Sequence, residues 1–343
     1  MSLDLIKRVP SAKEIQDALP ISPELQKIKA DRDAEIRKIF SGESNKFIFV
    51  VGPCSADNED AVIDYVNRLA KIGEEVKDKI LLIPRIYTNK PRTTGAGYKG
   101  MLHQPDPENE TDIVAGLKAI RQMHIRAMKE THLTAADEML YPENWLYMED
   151  ILSYVAIGAR SVEDQQHRLT ASGMNIPVGM KNPTSGDLSV MMNSCIAGQM
   201  EHTFLYSGWE TKTTGNDLTH TILRGALNPQ GQSITNYHYE DLIQLCELYA
   251  STDLKNPACI VDANHNNSSK KWDQQPRIVK EVIHSMNCSN DIKSLVKGVM
   301  VESYIEDGCQ AIGTGCYGKS ITDPCLGWDK TAKLIYDVAD TLK

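Results

Sequence analysis

The chain has 343 residues, 41% of them apolar and 24% charged, with 46 acidic against 37 basic side chains and a net charge of -9. This composition excludes an intrinsically disordered chain, and the acidic balance argues against broad binding to a nucleic-acid backbone. No run approaches the roughly 20 apolar residues of a membrane helix, and MSLDLIKRVP at the N-terminus lacks the apolar centre of a signal peptide.

The first two elements in chain order are helices. SAKEIQDAL (11–19) is followed by Pro20, and SPELQKIKADRDAEIRKIF (22–40) opens with Ser22 as N-cap and Pro23 at the first helical position. Residues 1–45 thus form an N-terminal extension whose apolar faces need a surface to pack on. From residue 46 to 343 short apolar runs alternate with helical patterns. The runs are KFIFVVGPCS (46–55), KILLIPRIY (79–87), LTAADEML (133–140), YVAIGAR (154–160), PVGMKN (177–182), HTFLYSG (202–208), HTILRGA (220–226), PACIVDANH (257–265) and KGVMVES (297–303). Between them, DAVIDYVNRLAKI places Val62, Tyr65, Val66, Leu69 and Ile72 on one helical face. DIVAGLKAIRQMHIRAM does the same with Ile113, Leu117, Ile120 and Met128, with Thr111 as its cap. SVEDQQHRL opens on a capping pattern from Ser161 to Asp164. Strand–helix–strand alternation at this spacing predicts βαβ units and a parallel sheet. Nine candidate strands exceed the eight of a closed (β/α)8 barrel by one. The run at 202–208 is therefore taken as an inserted β-hairpin element, and the run at 220–226 as the sixth barrel strand. The eight cysteines are scattered without a C-x-x-C pair, which reads as reduced thiols in a cytoplasmic protein.

Nearly every apolar run ends in a residue with chemistry: Cys54, Arg85, Glu138, Arg160, Lys181, Arg224, His265 and Glu302. In a parallel barrel those C-terminal strand ends form one rim, where active sites sit. Two chemical groups emerge. Arg85, Lys90, Arg160, Lys181 and Arg224 are cations that cannot gather in a half-buried site without anions, so a small substrate bearing phosphate and carboxylate is expected there. Cys54, His265, Glu302 and Asp323 offer a thiolate, an imidazole and two carboxylates, a mixed set suited to divalent Mn, Fe, Co or Zn and selective for none of them. The segment NKPRTTGAGYKGM (89–101) adds cations to a glycine-rich loop, whose backbone can approach a phosphate closely.

VVGPCS, NKPRTT, AIGAR, GMKNPTSGD, ILRG, DANHNNSSK, GVMVES and YGKSITDPCLGW, in this order, resemble the type I metal-dependent 3-deoxy-D-arabino-heptulosonate 7-phosphate (DAHP) synthases from about residue 15 to the C-terminus. The resemblance implies a TIM barrel that condenses phosphoenolpyruvate with erythrose 4-phosphate in the first step of the shikimate pathway. It implies a divalent metal on Cys54, His265, Glu302 and Asp323. Phosphoenolpyruvate would lie on Arg85, Lys90, Arg160, Lys181 and Arg224, beside the backbone of Gly158 and Ala159. Arg92 and Thr93 would receive the aldose phosphate. For the chemistry itself the residues leave two proton donors to the new alkoxide, Lys90 or His265 through a metal-bound water, with Glu138 to place the attacking water. An aromatic amino-acid effector and a homo-oligomer, dimer or tetramer, are further partners; neither nucleic acid nor membrane is one. The loop LYSGWETKTTGNDL is shorter than in feedback-inhibited members, and Asn175 stands where serine is frequent, so the effector stays open. Two other readings remain. One is 3-deoxy-D-manno-octulosonate 8-phosphate synthase, which uses arabinose 5-phosphate and whose aldose loop resembles KANRSS. The other is a non-catalytic anion-binding barrel.

Overall fold

Eight of the apolar runs pair in parallel in a computed structural model that describes residues 3–342. The strands are β1 (Phe47–Gly52), β2 (Ile80–Pro84), β3 (Ala135–Glu138), β4 (Leu152–Ile157), β5 (Val178–Lys181), β8 (Thr219–Leu223), β11 (Cys259–Asp262) and β12 (Val296–Glu302), adjacent in the order β2-β1-β12-β11-β8-β5-β4-β3. A parallel bridge between Arg85 and Ala136, with Ile86 N–H donating to Ala136 O at 3.0 Å, joins the two outermost strands and closes the barrel. Closure leaves no sheet edge for a stray chain to pair with. The run at 202–208 is half of an antiparallel hairpin outside the barrel, β6 (Thr203–Tyr206) with β7 (Trp209–Lys212). Its two-residue turn, Ser207 at φ 49° and Gly208 at φ 80°, has the left-handed backbone that tight hairpins need. A second small hairpin, β9 (Ala226–Leu227) with β10 (Ser233–Ile234), follows β8 directly and was not anticipated.

Helices α3 (Glu59–Val76), α4 (Ile113–Thr131), α5 (Trp145–Met148), α6 (Gln165–Ala171), α7 (Leu188–Gln199), α8 (Tyr239–Ala250), α9 (Gln275–Cys288), α10 (Asn290–Leu295) and α11 (Trp328–Thr341) surround the strands. Two caps differ from expectation. Asp112, not Thr111, caps α4: its carboxylate accepts from Val114 N and Ala115 N, a reach one residue closer to the first turn than Thr111 has. Asp164 itself caps α6, accepting from His167 N at 3.1 Å, while Ser161 sits in the turn before it.

The strand residues divide into two buried sets. Phe47, Phe49 and Val51 face the helices with α3 and α4, whereas Ile48, Val50, Leu81, Ile83, Tyr154, Ile222, Ile260 and Met300 face inward. This alternation is the pleat of a barrel filled by side chains. Ahead of it lie α1 (Ala12–Ala18), held by a Ser11–Glu14 capping box, and α2 (Pro23–Phe40). Ile36, Ile39 and Phe40 of α2 insert into the inward-facing set, close to Leu218 and Ala258 at the starts of β8 and β11. The second helix thus stoppers the N-terminal mouth of its own barrel. The expectation that the apolar faces of the extension need a surface is met within the chain, so for α2 the case for a second subunit falls away.

Candidate active site

At the opposite mouth a cavity of about 460 Å³ is lined by Cys54, Arg85, Glu138, Arg160, Lys181, Arg224 and His265, all strand-end residues of the sequence pattern, with Lys90, Arg92, Thr93, Gly158, Ala159 and Asp323 beside them. Glu302, the last residue of β12, lies wholly buried beneath the cavity floor. The parallel strands deliver these side chains to one place because each strand runs in the same direction and stops at the same level.

The cations are held by different means. The Arg85 guanidinium is 2% exposed; it donates to Glu302 Oε1 at 2.7 Å and Pro53 O at 3.1 Å, and lies over the Tyr87 ring at 3.8 Å. Burial acts to lower its pKa, but Glu302 overrides this and holds it above the usual arginine value. Lys181 Nζ is 3.3 Å from Asp262 Oδ2. Arg224 is buried, and burial, reinforced by the nearby charge of Arg160, lowers its pKa. Arg160 is itself exposed, which corrects the expectation that all five cations are at least half buried. A second correction concerns what neutralises them. Asp262, Glu302 and Asp323 supply negative charge from within the chain, so the cation cluster is partly balanced without any ligand.

Of the four residues expected to bind metal, Cys54, Glu302 and Asp323 place ligand atoms within 4.8 Å of one another. Lys90 Nζ is 2.8 Å from both Cys54 Sγ and Asp323 Oδ2. His265 stands at the edge of this group: its Nε2 is 3.8 Å from Glu302 Oε1, and its Nδ1 is 2.8 Å from Asp262 Oδ2. Burial pushes the Cys54 thiol up, helped by Glu302 and opposed by Lys90. Asp323 moves the other way: burial would raise it, but Lys90 and Lys270 hold it well below the usual carboxylate range. One sulfur and two carboxylates this close, with an imidazole adjacent, fit a divalent first-row metal ion.

The Glu138 carboxylate occupies the space above Gly158, where a Cβ would sit 2.2 Å from its Oε1; any larger residue at 158 would displace it. Asp137 ties that strand end to the start of the 89–101 loop by accepting from Glu138 N at 2.7 Å and Thr88 N at 2.9 Å. The loop itself is anchored by Tyr98, which is buried, and by Lys90 N–H donating to Lys99 O at 3.0 Å. Arg92 Nε donates to Tyr98 O at 2.8 Å, and Thr93 is exposed at the cavity mouth.

Sequence reasoning missed Asp262 and Lys270. Asp262 closes β11 in the same DANH stretch as His265, and a pattern of one chemical residue per strand end does not single it out. Lys270 donates to Asp323 Oδ1 at 2.9 Å. It follows Ser269 in a turn where both residues have left-handed φ, 52° and 59°. Backbone conformations this unusual for non-glycine residues cluster at functional sites, but they cannot be read from composition.

The chain matches the DAHP synthetase I family over residues 20–335. It is similar to the tyrosine-inhibited phospho-2-dehydro-3-deoxyheptonate aldolase of Candida albicans, with 36% identity over 318 residues covering 89% of this chain and 84% of the relative. It is also similar to the Phe-sensitive aldolase of Escherichia coli K12, with 35% identity over 349 residues and 96% of both chains covered. Among solved structures, the phospho-2-dehydro-3-deoxyheptonate aldolase from Francisella tularensis SCHU S4 overlays with a TM-score of 0.92 at 29% identity, over 99% of this chain and 98% of the other.

Proposed function

The chain belongs to the DAHP synthetase I family, and from that premise we propose which of its side chains carry the family's reaction. That reaction joins phosphoenolpyruvate, D-erythrose 4-phosphate and water to give 3-deoxy-D-arabino-heptulosonate 7-phosphate and inorganic phosphate, the first step of the shikimate pathway to aromatic amino acids. The observation that carries the assignment of roles is the sharing of one cavity by a thiol, a carboxylate and an imidazole with a cluster of cations, Lys90 lying 2.8 Å from both Cys54 Sγ and Asp323 Oδ2.

Arg160, Lys181 and Arg224 grip the phosphate of the enolpyruvate, and Arg85 and Lys181 its carboxylate, with the backbone of Gly158 and Ala159 alongside. Arg92 and Thr93 receive the phosphate of the aldose. Fixing both substrates this way converts a bimolecular encounter into an oriented one and replaces lost hydration with preset charge. Cys54, His265, Glu302 and Asp323 would hold a divalent ion, Mn, Fe, Co or Zn, which supplies Lewis-acid polarisation of the aldehyde. The enol carbon then bonds to the aldehyde carbon, and the aldehyde oxygen takes the electron pair and a proton from the Lys90 ammonium. Glu138 orients the water that adds at the cationic carbon and takes its proton. The tetrahedral centre then collapses: its hydroxyl oxygen forms the carbonyl bond, the bond to the phosphate oxygen breaks, and the hydroxyl proton leaves with the inorganic phosphate.

Phosphate release from phosphoenolpyruvate, with each aldose phosphate and with or without EDTA, tests this. Release is expected with erythrose 4-phosphate, lost on chelation and restored by Mn or Co. Equal release with arabinose 5-phosphate would overturn the aldose assignment, and undiminished release in EDTA the metal assignment.

Finer features follow as proposals. The relatives named above are tyrosine-inhibited and Phe-sensitive, and we assign this chain an aromatic amino-acid inhibitor, to be identified by a thermal-shift screen with phenylalanine, tyrosine and tryptophan. Leu3, Leu5 and Ile6 are exposed ahead of α1, which supports a homo-oligomer, dimer or tetramer, checked by light scattering of the full chain and of a variant with all three changed to serine. All eight cysteines are free, in keeping with a reducing cytoplasm. Among the described residues no helix is long and apolar enough to cross a membrane.

A further inference from the structure

Beneath the cavity, at the end of β11, lies a carboxylate that none of the roles above uses. Asp262 is fully buried. Its Oδ1 accepts from Asn264 N at 3.0 Å. Its Oδ2 has no aligned hydrogen-bond donor, and neither does His265 Nδ1, although both atoms are buried. These two atoms lie 2.8 Å apart, off the ideal hydrogen-bond line, and Lys181 Nζ is 3.3 Å from the same Oδ2. Two buried polar atoms without other aligned partners, at that separation, are left to each other.

The backbone is bent to bring them together. His265 has a left-handed φ of 47°, uncommon for a non-glycine residue and held here by its neighbours. That constraint is visible: Lys270 N–H donates to His265 O at 2.8 Å, and Ser268 Oγ donates to Asn264 Oδ1 at 2.7 Å. With the ring so placed, Nδ1 faces Asp262 and Nε2 faces Glu302, beside Cys54 and Asp323.

The geometry points to Asp262 as a positioning residue that keeps the His265 proton on Nδ1, so that the Nε2 lone pair is turned toward the metal donors. This rests on the metal assignment made above. A carboxylate behind a histidine ligand fixes its tautomer and ring orientation and raises its basicity; loss of such a partner typically lowers metal affinity by roughly 10–100-fold. The same carboxylate also faces Lys181, so its charge opposes the grip of that lysine on an anion. The two roles have opposite signs, and that makes them separable.

The experiment compares the full-length wild type with Asp262→Asn and His265→Gln. Metal is removed from each, Co(II) binding is followed through its visible and thiolate charge-transfer absorption, and phosphoenolpyruvate binding is followed by calorimetry. Asparagine keeps the shape but presents an N–H to Nδ1, which favours the wrong tautomer. For Asp262→Asn, Co(II) affinity should fall about 10–100-fold, while phosphoenolpyruvate affinity should hold or rise, because Lys181 is no longer partly neutralised. Unchanged Co(II) affinity in a folded Asp262→Asn protein would overturn the inference. So would parallel loss of both affinities, which marks a merely structural residue. If His265→Gln also leaves Co(II) binding untouched, the metal assignment itself fails, a distinct outcome. Should Asp262→Asn not fold, nitrogen NMR of wild type labelled with 15N-histidine decides: the His265 signal, identified by its absence in His265→Gln, is expected as the Nδ1–H tautomer, and the Nε2–H form would refute the proposal.

Discussion

The two mouths of the barrel are finished by opposite chemistry. The N-terminal mouth is filled with hydrocarbon: Ile36, Ile39 and Phe40 of α2 pack among the inward-facing residues, and the Phe40 ring lies 4.4 Å from that of His220. Tyr154 Oη lies 2.7 Å from His220 Nε2 and His220 Nδ1 2.9 Å from Leu218 O, and the charges of α2 at the rim are paired within the chain, Lys29 with Asp33 and Arg37 with Asp217. The C-terminal mouth is filled with charge that exceeds what its own carboxylates balance. One end is built to be stable without a ligand; the other is built to be completed by one. Stability and activity should therefore respond separately to substitutions at the two ends.

The largest effect is expected at the apolar end. Phe40→Ala removes a buried ring from a closed plug and should cost about 3–5 kcal/mol of stability. In protein that remains folded, kcat and both KM values should stay unchanged. A large loss of turnover per folded molecule would show that the two ends are coupled and would break the comparison.

Arg224→Met probes the charged end. Burial, then the charge of Arg160, disfavours the cationic form of Arg224 where it sits. Turnover should fall by roughly 10²–10³-fold, the scale of losing one electrostatic contact to a reacting anion. The melting temperature should hold or rise, because a neutral side chain of similar length relieves the crowding. A drop of several degrees would mean that Arg224 supports the fold more than the substrate.

His220 sharpens the contrast through pH. Burial pushes its pKa down to about 4 from an ordinary value of 6.5, so the folded chain holds it neutral. As the pH falls below 6.5 the unfolded chain takes up a proton that the folded chain refuses until about pH 4. Stability is thus intact above pH 6.5 and drains away between 6.5 and 4, by about 3 kcal/mol from this group. Chemical denaturation of wild type and His220→Gln across this range isolates the effect. The variant, which cannot charge, should show a shallower decline, and parallel curves would refute it.

Much of this was legible in the residues, and the parts that were not have physical reasons. Strand ends could be read because parallel strands all stop at one level, so the last polar residue after each apolar run falls on the same rim; Cys54, Arg85, Glu138, Lys181 and Arg224 follow that rule. Arg160 lies farther beyond its strand and reaches the mouth from an exposed position. The sequence puts His265 in the ligand set, whereas its ring stands at the edge of Cys54, Glu302 and Asp323, because a left-handed residue turns it toward Asp262, and sequence periodicity carries no sign of φ. The stopper helix was hidden for a different reason. Ile36, Ile39 and Phe40 make an ordinary apolar stripe, and a stripe does not say what it will cover. Closure between β2 and β3 through Arg85 and Ala136 was invisible too, since a single bridge leaves no pattern.

The smallest expected effect belongs to the outer wall of the charged mouth. Arg92 is held by its Nε, which donates to Tyr98 O, and it reaches the cavity from the glycine-rich loop rather than from a strand. Gly97, at φ 89°, leaves room beside its guanidinium, where a Cβ would lie 3.4 Å away. In the role proposed above, this side chain meets the aldose phosphate. Removing one charge-assisted contact to a phosphate costs about 1.5–3 kcal/mol, so Arg92→Ala should raise the KM for erythrose 4-phosphate by roughly 10–100-fold. The KM for phosphoenolpyruvate, whose proposed contacts Lys181 and Arg224 are buried, should move little. Steady-state kinetics with each substrate varied in turn would measure both. Equal rises would mean that the loop serves the cavity as a whole, and the division between an inner enolpyruvate site and an outer aldose site would have to be abandoned.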